Sequence, residues 1–116
     1  MSRVQEIIKR RRKRKRRLEA ALESIKSQLI NFGALKIILF GSLNNGTIDS
    51  YSDLDLLVVM PSYKSGKEWM DFIYTNINRD IASDILVYNE KEFNRNLVSN
   101  SFLIEINNTG KVIYEA

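Results

Sequence analysis

The chain has no cysteine, no histidine and a single proline among its 116 residues. Without cysteine it can form no disulfide, no thiolate metal site and no cysteine nucleophile. Without histidine it lacks the commonest general base at neutral pH and the means for Ser-His-Asp catalysis. Its apolar runs are also far too short to span a bilayer. Any chemistry must therefore rest on carboxylates, hydroxyls, amines and metal ions bound by oxygen atoms.

Positive charge is concentrated at the N-terminus. Residues 1–17 hold ten of the 18 basic residues and one acid, whereas the remainder carries eight basic and 13 acidic groups. The run KRRRKRKRR, residues 9–17, leaves three interpretations open: contact with a nucleic-acid backbone, docking onto an acidic partner, or a solvated helix end. No apolar segment typical of a secretory signal follows it, so we expect a cytoplasmic protein that does not contact a membrane.

Hydrophobic periodicity predicts a small α/β or α+β domain with a central sheet. Apolar residues at helical spacing predict a helix over 18–32 that ends near Gly33. This helix can continue back through the basic run, where we expect it to project into solvent. Strands are predicted at 36–40, 54–60, 82–88 and 111–114, and further helical segments at 64–79 and 91–107. The predicted organisation is a basic helical extension, 1–17, followed by one domain, 18–116.

Two aspartates one residue apart open the second predicted strand, within the stretch LFGSLNNGTIDSYSDLDLLVV, residues 39–59. Side chains alternate along a strand, so Asp53 and Asp55 point to one face while Leu54 and Leu56 point into the core. Two carboxylates on one face repel each other unless a cation lies between them. Ligation by oxygen alone suits Mg²⁺ or Mn²⁺, which makes this pair a candidate metal site.

A third acid and a Gly-Ser turn extend this candidate site. Asp84 is alone in the apolar strand ASDILVY and would meet the pair if the two strands are neighbours. Gly41 and Ser42 follow the first strand, where a sharp turn can present backbone N–H groups to phosphate oxygens. Three carboxylates could bind two metal ions for phosphoryl or nucleotidyl transfer. Each part alone also fits an ordinary turn, a solvated strand end or an ion-paired aspartate.

Together these residues resemble the minimal nucleotidyltransferases of the DNA polymerase beta-like superfamily. Gly41-Ser42, ten intervening residues and Asp53-Leu54-Asp55 match the Gly-Ser-x10-Asp-x-Asp signature of that family. The segments LKIILFGS, SDLDLLVV, SDILV and GKVIYEA are also similar, so the resemblance covers roughly residues 18–116. It implies a nucleotidyltransferase fold with a small mixed sheet flanked by helices, here preceded by an extended basic helix.

The resemblance also implies roles, a substrate and a partner. Gly41 and Ser42 would bind the phosphates of ATP, Asp53 and Asp55 would bind two Mg²⁺ ions (or Mn²⁺), and Asp84 would complete the metal site and help deprotonate the attacking hydroxyl. Small family members commonly act as antitoxins that transfer AMP to a tyrosine of a HEPN-family toxin, as in type VII toxin–antitoxin pairs. A hetero-oligomer with such a toxin is therefore expected. A non-catalytic module that neutralises a toxin sterically, or binds RNA through residues 9–17, is the alternative.

One departure from the family pattern concerns the loop after the Gly-Ser turn. Many relatives carry arginine in a Gly-Ser-Arg-x-x-Gly pattern, whereas this chain has Leu43, Asn44 and Asn45. A cation that could help to bind the triphosphate is therefore missing from the loop. Lys64, Lys67 or the basic N-terminus are the candidate replacements.

Overall fold

The computed structural model describes residues 2–49 and 52–116, which form one four-stranded sheet with helices on both faces. The helices are α1 (Arg3–Phe32), α2 (Ser42–Asn45), α3 (Gly66–Asn76), α4 (Glu90–Asn96) and α5 (Ser101–Thr109). The strands are β1 (Lys36–Phe40), β2 (Leu54–Met60), β3 (Ser83–Asn89) and β4 (Lys111–Glu115). No helix among the described residues is long and apolar enough to cross a membrane.

Helix α1 is a single 30-residue helix that includes the basic run. It begins with a capping box, in which Ser2 and Gln5 each accept a hydrogen bond from the other's backbone N–H. It ends at Gly33, whose φ of 107° gives the left-handed cap typical of helix C-termini. Leu18, Ile25 and Leu29 are the buried positions, so the first half of the helix extends beyond the core.

The sheet has the order β3-β2-β1-β4, with β2 parallel to β3 and both other pairs antiparallel. This mixed sheet, its flanking helices and the long N-terminal helix confirm the predicted fold class. As a result of the strand directions, the end of β1 and the starts of β2 and β3 lie at the same end of the sheet. We call this the site end, because Gly41, Asp55 and Asp84 all lie there.

The two faces of the sheet are covered by separate apolar clusters. One face carries Leu54 and Leu56 of β2 and packs against α1 and α3. The other carries Leu57 and Val59 of β2 and packs against α4 and α5. Asp55 is two residues before Leu57 and therefore shares the face of α4 and α5, as the predicted alternation required.

Five predicted boundaries or elements differ from the structure, and the smallest difference is that β4 ends at Glu115, one residue past its predicted end. The helix predicted at 64–79 is α3, which is shorter at both ends. Its start is set by Ser65, which forms a capping box with Glu68, and its end by Ile77, whose backbone is extended. The region 91–107 is two helices, since the Asn100 side chain accepts hydrogen bonds from two backbone N–H groups and begins α5. The third strand is shifted by one residue, to Ser83–Asn89. The short helix α2 was not predicted, because four residues carry no readable periodicity.

Candidate active site

Gly41 forms the turn between β1 and α2, and its backbone lies directly against a carboxylate. Its φ of 77° and ψ of −157° belong to a region that is essentially restricted to glycine. A Cβ atom built at this position would lie 2.9 Å from Asp55 Cγ and would overlap its carboxylate oxygen. The turn after β1 and the aspartate of β2 are therefore in close contact, and only glycine allows it.

The structure brings Asp55 and Asp84 side by side. The two residues are register partners in the parallel β2–β3 pair, where neighbouring strands lie about 4.8 Å apart. Asp55 is half-buried, whereas Asp84 is exposed because β3 is an edge strand. Asp53 precedes β2 by one residue and lies at the same end. Of the ten residues between Ser42 and Asp53, residues 50 and 51 lie outside the described part of the chain.

The charges of this group act on one another. The pKa of Asp55 is raised from its ordinary value of 3.8, first by burial and then by the negative charges of Asp84 and Asp53. A cation near these carboxylates would relieve this repulsion. Without one, the raised pKa of Asp55 means that its ionised carboxylate destabilises the folded chain at neutral pH.

A positive charge does reach this group, and it comes from the basic run. Arg14 is half-buried, with a side chain 15% exposed, and its Nη2 lies 3.6 Å from Asp53 Oδ1. Its Nε donates a hydrogen bond of 2.8 Å to the carbonyl oxygen of Ser52. The expectation that the basic part of α1 projects into solvent is therefore wrong at Arg14, although the other residues of the run are exposed. The signal that could have found it is the four-residue spacing to Leu18, which places both side chains on one face of the helix.

The donor atoms at the site end suit a hard divalent cation. Asp53, Asp55 and Asp84 offer only oxygen atoms, the ligands preferred by Mg²⁺ and Mn²⁺. Their mutual effect on the pKa of Asp55 shows that a cation between them would relieve repulsion. Within residues 2–49 and 52–116, however, no three acidic side chains are grouped closely enough to enclose an ion. The donor chemistry fits a metal, but the carboxylates are not already arranged around one.

The side chains of the loop after Gly41 contact the rest of the domain, and none of them is a cation. Leu43 packs against the apolar cluster on the sheet face covered by α1 and α3. Asn44 donates a hydrogen bond of 3.1 Å to the Thr109 carbonyl. Lys64 lies over the rings of Trp69 and Phe72, at 4.9 Å and 4.7 Å from their centroids. Lys64 follows the far end of β2, which lies about 17 Å along the strand from Asp55.

Lys67 is at the start of α3, at that same far end of the sheet. Of the three candidate replacements for the missing loop cation, the basic N-terminus is thus the one at the site end.

A cleft of about 240 Å³ opens beside Gly41 on the face of the carboxylates. It lies between α2 and α5 and is lined by Phe40, Gly41, Asn44, Asn45, Phe102, Glu105, Ile106 and Thr109. Phe40 and Phe102 meet edge to face, with ring centroids 6.2 Å apart. Sequence reasoning did not identify this cleft, because it depends on the packing of α5 against the end of β1.

Two neighbouring carboxylates beside a glycine turn are typical of a class of site suited to metal-bound phosphates. Comparison with known proteins agrees with this class. The family described as the nucleotidyltransferase domain matches residues 18–113 of this chain. The chain therefore belongs to the nucleotidyltransferase domain family.

Two other comparisons concern solved structures and curated proteins. A solved structure from Sulfolobus solfataricus, described as a "putative nucleotidyltransferase", is 21% identical, with a TM-score of 0.48 over 76% of this chain and 78% of that chain. None of the curated proteins matches this sequence.

Proposed function

We propose that this nucleotidyltransferase transfers AMP from ATP to a tyrosine hydroxyl of a HEPN-family toxin and is thereby the antitoxin of a toxin–antitoxin pair. The observation that carries the catalytic part is the meeting of Asp55 and Asp84 at the sheet end where Gly41 turns against Asp55. The choice of ATP, Mg²⁺ and toxin rests on the resemblance to minimal nucleotidyltransferases.

Each residue of the site has a task that its position allows. The Ser42 hydroxyl and the backbone N–H groups of the turn bind phosphate oxygens next to the carboxylates. Asp53 and Asp55 are the ligands for Mg²⁺, with Asp84 completing the set. When bound, Mg²⁺ offsets the charge of the phosphates and polarises the α-phosphate. Arg14, at 3.6 Å from Asp53, partly neutralises the acidic group.

The reaction is a displacement at phosphorus. The oxygen of the acceptor hydroxyl forms a bond to the α-phosphorus of ATP, and the bond from that phosphorus to the bridging oxygen of the β-phosphate breaks. Pyrophosphate leaves, and AMP remains on the acceptor as a phosphodiester. The hydroxyl proton passes to the carboxylate of Asp84. An exposed position on the edge strand suits this task, because a hydroxyl carried by another protein can reach it.

The surroundings of the site favour an aromatic hydroxyl as the acceptor. The cleft beside Gly41 has Phe102 on its rim, and this side chain is 53% exposed. An exposed ring next to a phosphate site can stack on the ring of an incoming tyrosine. A serine or threonine hydroxyl would gain no such contact.

The proposal is tested by incubating the chain with ATP, Mg²⁺ and the toxin-like product of the neighbouring gene, followed by intact-mass spectrometry. The partner should gain the mass of one or more AMP groups and lose its toxicity. Asp55→Asn should reduce the transfer rate by at least about 100-fold, because a metal ligand is lost. Asp71→Asn, which makes the same change at an exposed aspartate of α3, is the matched control and should leave the rate unchanged.

Two results would contradict the proposal. One is the absence of AMP transfer by the unmodified chain to this partner. The other is toxin neutralisation by Asp55→Asn as complete as that by the unmodified chain, which would favour a non-catalytic binding module.

A further inference from the structure

An open groove of about 490 Å³ lies between the basic part of α1 and the loop after Ser42. We call it the α1–α2 groove. Its lining consists of Arg11, Arg12, Lys15, Leu43, Asn44, Asn45, Gly46 and Ile48. One wall is therefore cationic, and the other is the segment in which the family pattern places an arginine that this chain lacks.

The cationic wall has little acidic compensation. None of the lining residues is an acid. Among residues 2–49 and 52–116, the ion pair that involves this wall joins Lys15 to Glu19 at 3.9 Å, and both side chains are more than half exposed. An exposed ion pair of this kind contributes little to stability, so Lys15 can readily exchange Glu19 for an anion of higher charge.

The groove borders the candidate active site. Asn44 and Asn45 line both the α1–α2 groove and the cleft beside Gly41, so α2 separates the two spaces. One turn further along α1, Arg14 contacts Ser52 and Asp53. Phosphates bound at the turn after Gly41 would therefore lie next to the loop that forms the second wall of the groove.

The other cations near the site end are less suitable. Lys111 pairs with Leu39 on β4, so a full strand separates it from β2. Arg79 donates a hydrogen bond of 2.7 Å to the Ser83 carbonyl and stacks on Tyr74, which leaves it engaged with its own loop. The groove residues are thus the cations placed to face the loop.

We propose that Arg11, Arg12 and Lys15 bind the outer phosphates of the nucleoside triphosphate and so replace the cation that the Leu43-Asn44-Asn45 loop lacks. This inference rests on the proposed nucleotidyl transfer. Guanidinium groups bind phosphate oxygens through two parallel hydrogen bonds, and lysine adds a compact charge. A nucleic-acid backbone is less well suited, since it would engage cations all along the run and not the three that face α2.

The test measures binding directly, with an ATP analogue whose α,β-bridge is a methylene group, in the presence of Mg²⁺. The groove variant carries Arg11→Ala, Arg12→Ala and Lys15→Ala. The control variant carries Arg10→Ala, Lys13→Ala and Arg17→Ala, which removes the same two arginines and one lysine from the part of the helix surface turned away from the groove. Alanine preserves the helix in both, which circular dichroism verifies.

The groove variant should bind the analogue at least about 10-fold more weakly, as expected for the loss of charge-assisted hydrogen bonds. The control variant should stay within about threefold of the unmodified chain, allowing for weak, screened long-range electrostatics. AMP, which has no outer phosphates, should bind the groove variant as it binds the unmodified chain.

Equal affinity of the groove variant and the unmodified chain would overturn the inference while leaving nucleotidyl transfer intact. Equal weakening by both variants would also overturn it, because net charge alone would then explain the effect. Weakened binding of a single-stranded RNA probe by both variants, with the analogue unaffected, would assign the run to RNA instead. A failure of the unmodified chain to bind the analogue at all would remove the proposed function, and with it this inference.

Discussion

The two ends of the sheet differ in how well their polar and charged groups are paired. At the far end, polar groups are paired: Glu92 Oε1 accepts hydrogen bonds from the backbone N–H groups of Gly66 and Asn89, at 2.9 Å and 3.0 Å. The buried Asn89 side chain donates to the Lys64 carbonyl at 3.0 Å. At the site end, burial and the negative charges of Asp84 and Asp53 disfavour the ionised form of Asp55, and Gly41 has a conformation that few residues adopt.

This difference indicates where the chain gives up stability. Unfavourable charge and unusual backbone persist in a folded protein when the rest of the structure compensates, and they cluster at functional sites. The far end, with its capping boxes at α3 and α4, is such a compensating region. Substitutions at the two ends should therefore differ in size, and removal of the Asp55 charge at the site end should have the opposite sign.

The largest effect is expected from Trp69→Ala near the far end. Trp69 is 2% exposed, and its Nε1 donates a hydrogen bond of 2.8 Å to the Pro61 carbonyl. Losing this side chain should lower the free energy of unfolding by about 3–5 kcal/mol, measured by urea denaturation. Tyr63→Ala removes a neighbouring ring that is 73% exposed and should change it by less than about 0.5 kcal/mol. A small loss for Trp69→Ala would mean that the far end is not the stabilising region.

An intermediate effect is expected from Gly41→Ala at the site end. The new Cβ would overlap the Asp55 carboxylate in addition to straining the backbone, so about 2–3 kcal/mol of stability should be lost. Gly46→Ala is the matched control, since Gly46 also has a positive φ, of 73°, but has nothing within 4 Å of a built Cβ. It should cost about 1 kcal/mol. Equal losses would show that the contact with Asp55 does not constrain position 41.

The smallest effect has the opposite sign. The folded chain raises the pKa of Asp55, so it binds that proton more tightly than the unfolded chain does, and stability falls as the pH rises from about 3.8 through the raised pKa. Asp55→Asn should therefore stabilise the metal-free chain by about 0.5–1 kcal/mol at pH 7, after allowance for solvent screening. The gain should vanish near pH 3, where Asp55 is protonated in both states. Destabilisation at pH 7 would contradict the repulsion.

The sequence predicted those parts of the molecule that depend on local patterns. The alternation of Asp53 and Asp55 with two leucines predicted which residues of β2 face the core. The single acid of the third strand, Asp84, was predicted to meet this pair, and it is the register partner of Asp55. Gly33 marked the end of α1 for the same local reason. The split between α4 and α5 was also readable in principle, because Asn100 is a helix-capping residue within an apolar pattern.

Features that depend on tertiary packing could not be predicted in this way. The contact of Arg14 with Ser52 spans 38 residues, and it depends on how far α1 extends past the sheet. The basic run has no apolar stripe of its own, and the spacing from Arg14 to Leu18 can indicate the face that meets the domain but not the residues that it contacts there. The α1–α2 groove and the cleft beside Gly41 likewise form between elements that are distant in the chain.

The most direct test of the site end as a nucleotide site is thermal unfolding with and without Mg²⁺ and the methylene analogue of ATP. A ligand at 100 times its Kd stabilises the folded state by about 2.7 kcal/mol, which raises the Tm by several degrees. We predict this rise for the unmodified chain and for Asp71→Asn, and its loss in Asp55→Asn. An equal rise in all three proteins, or no rise in the unmodified chain, would contradict the account.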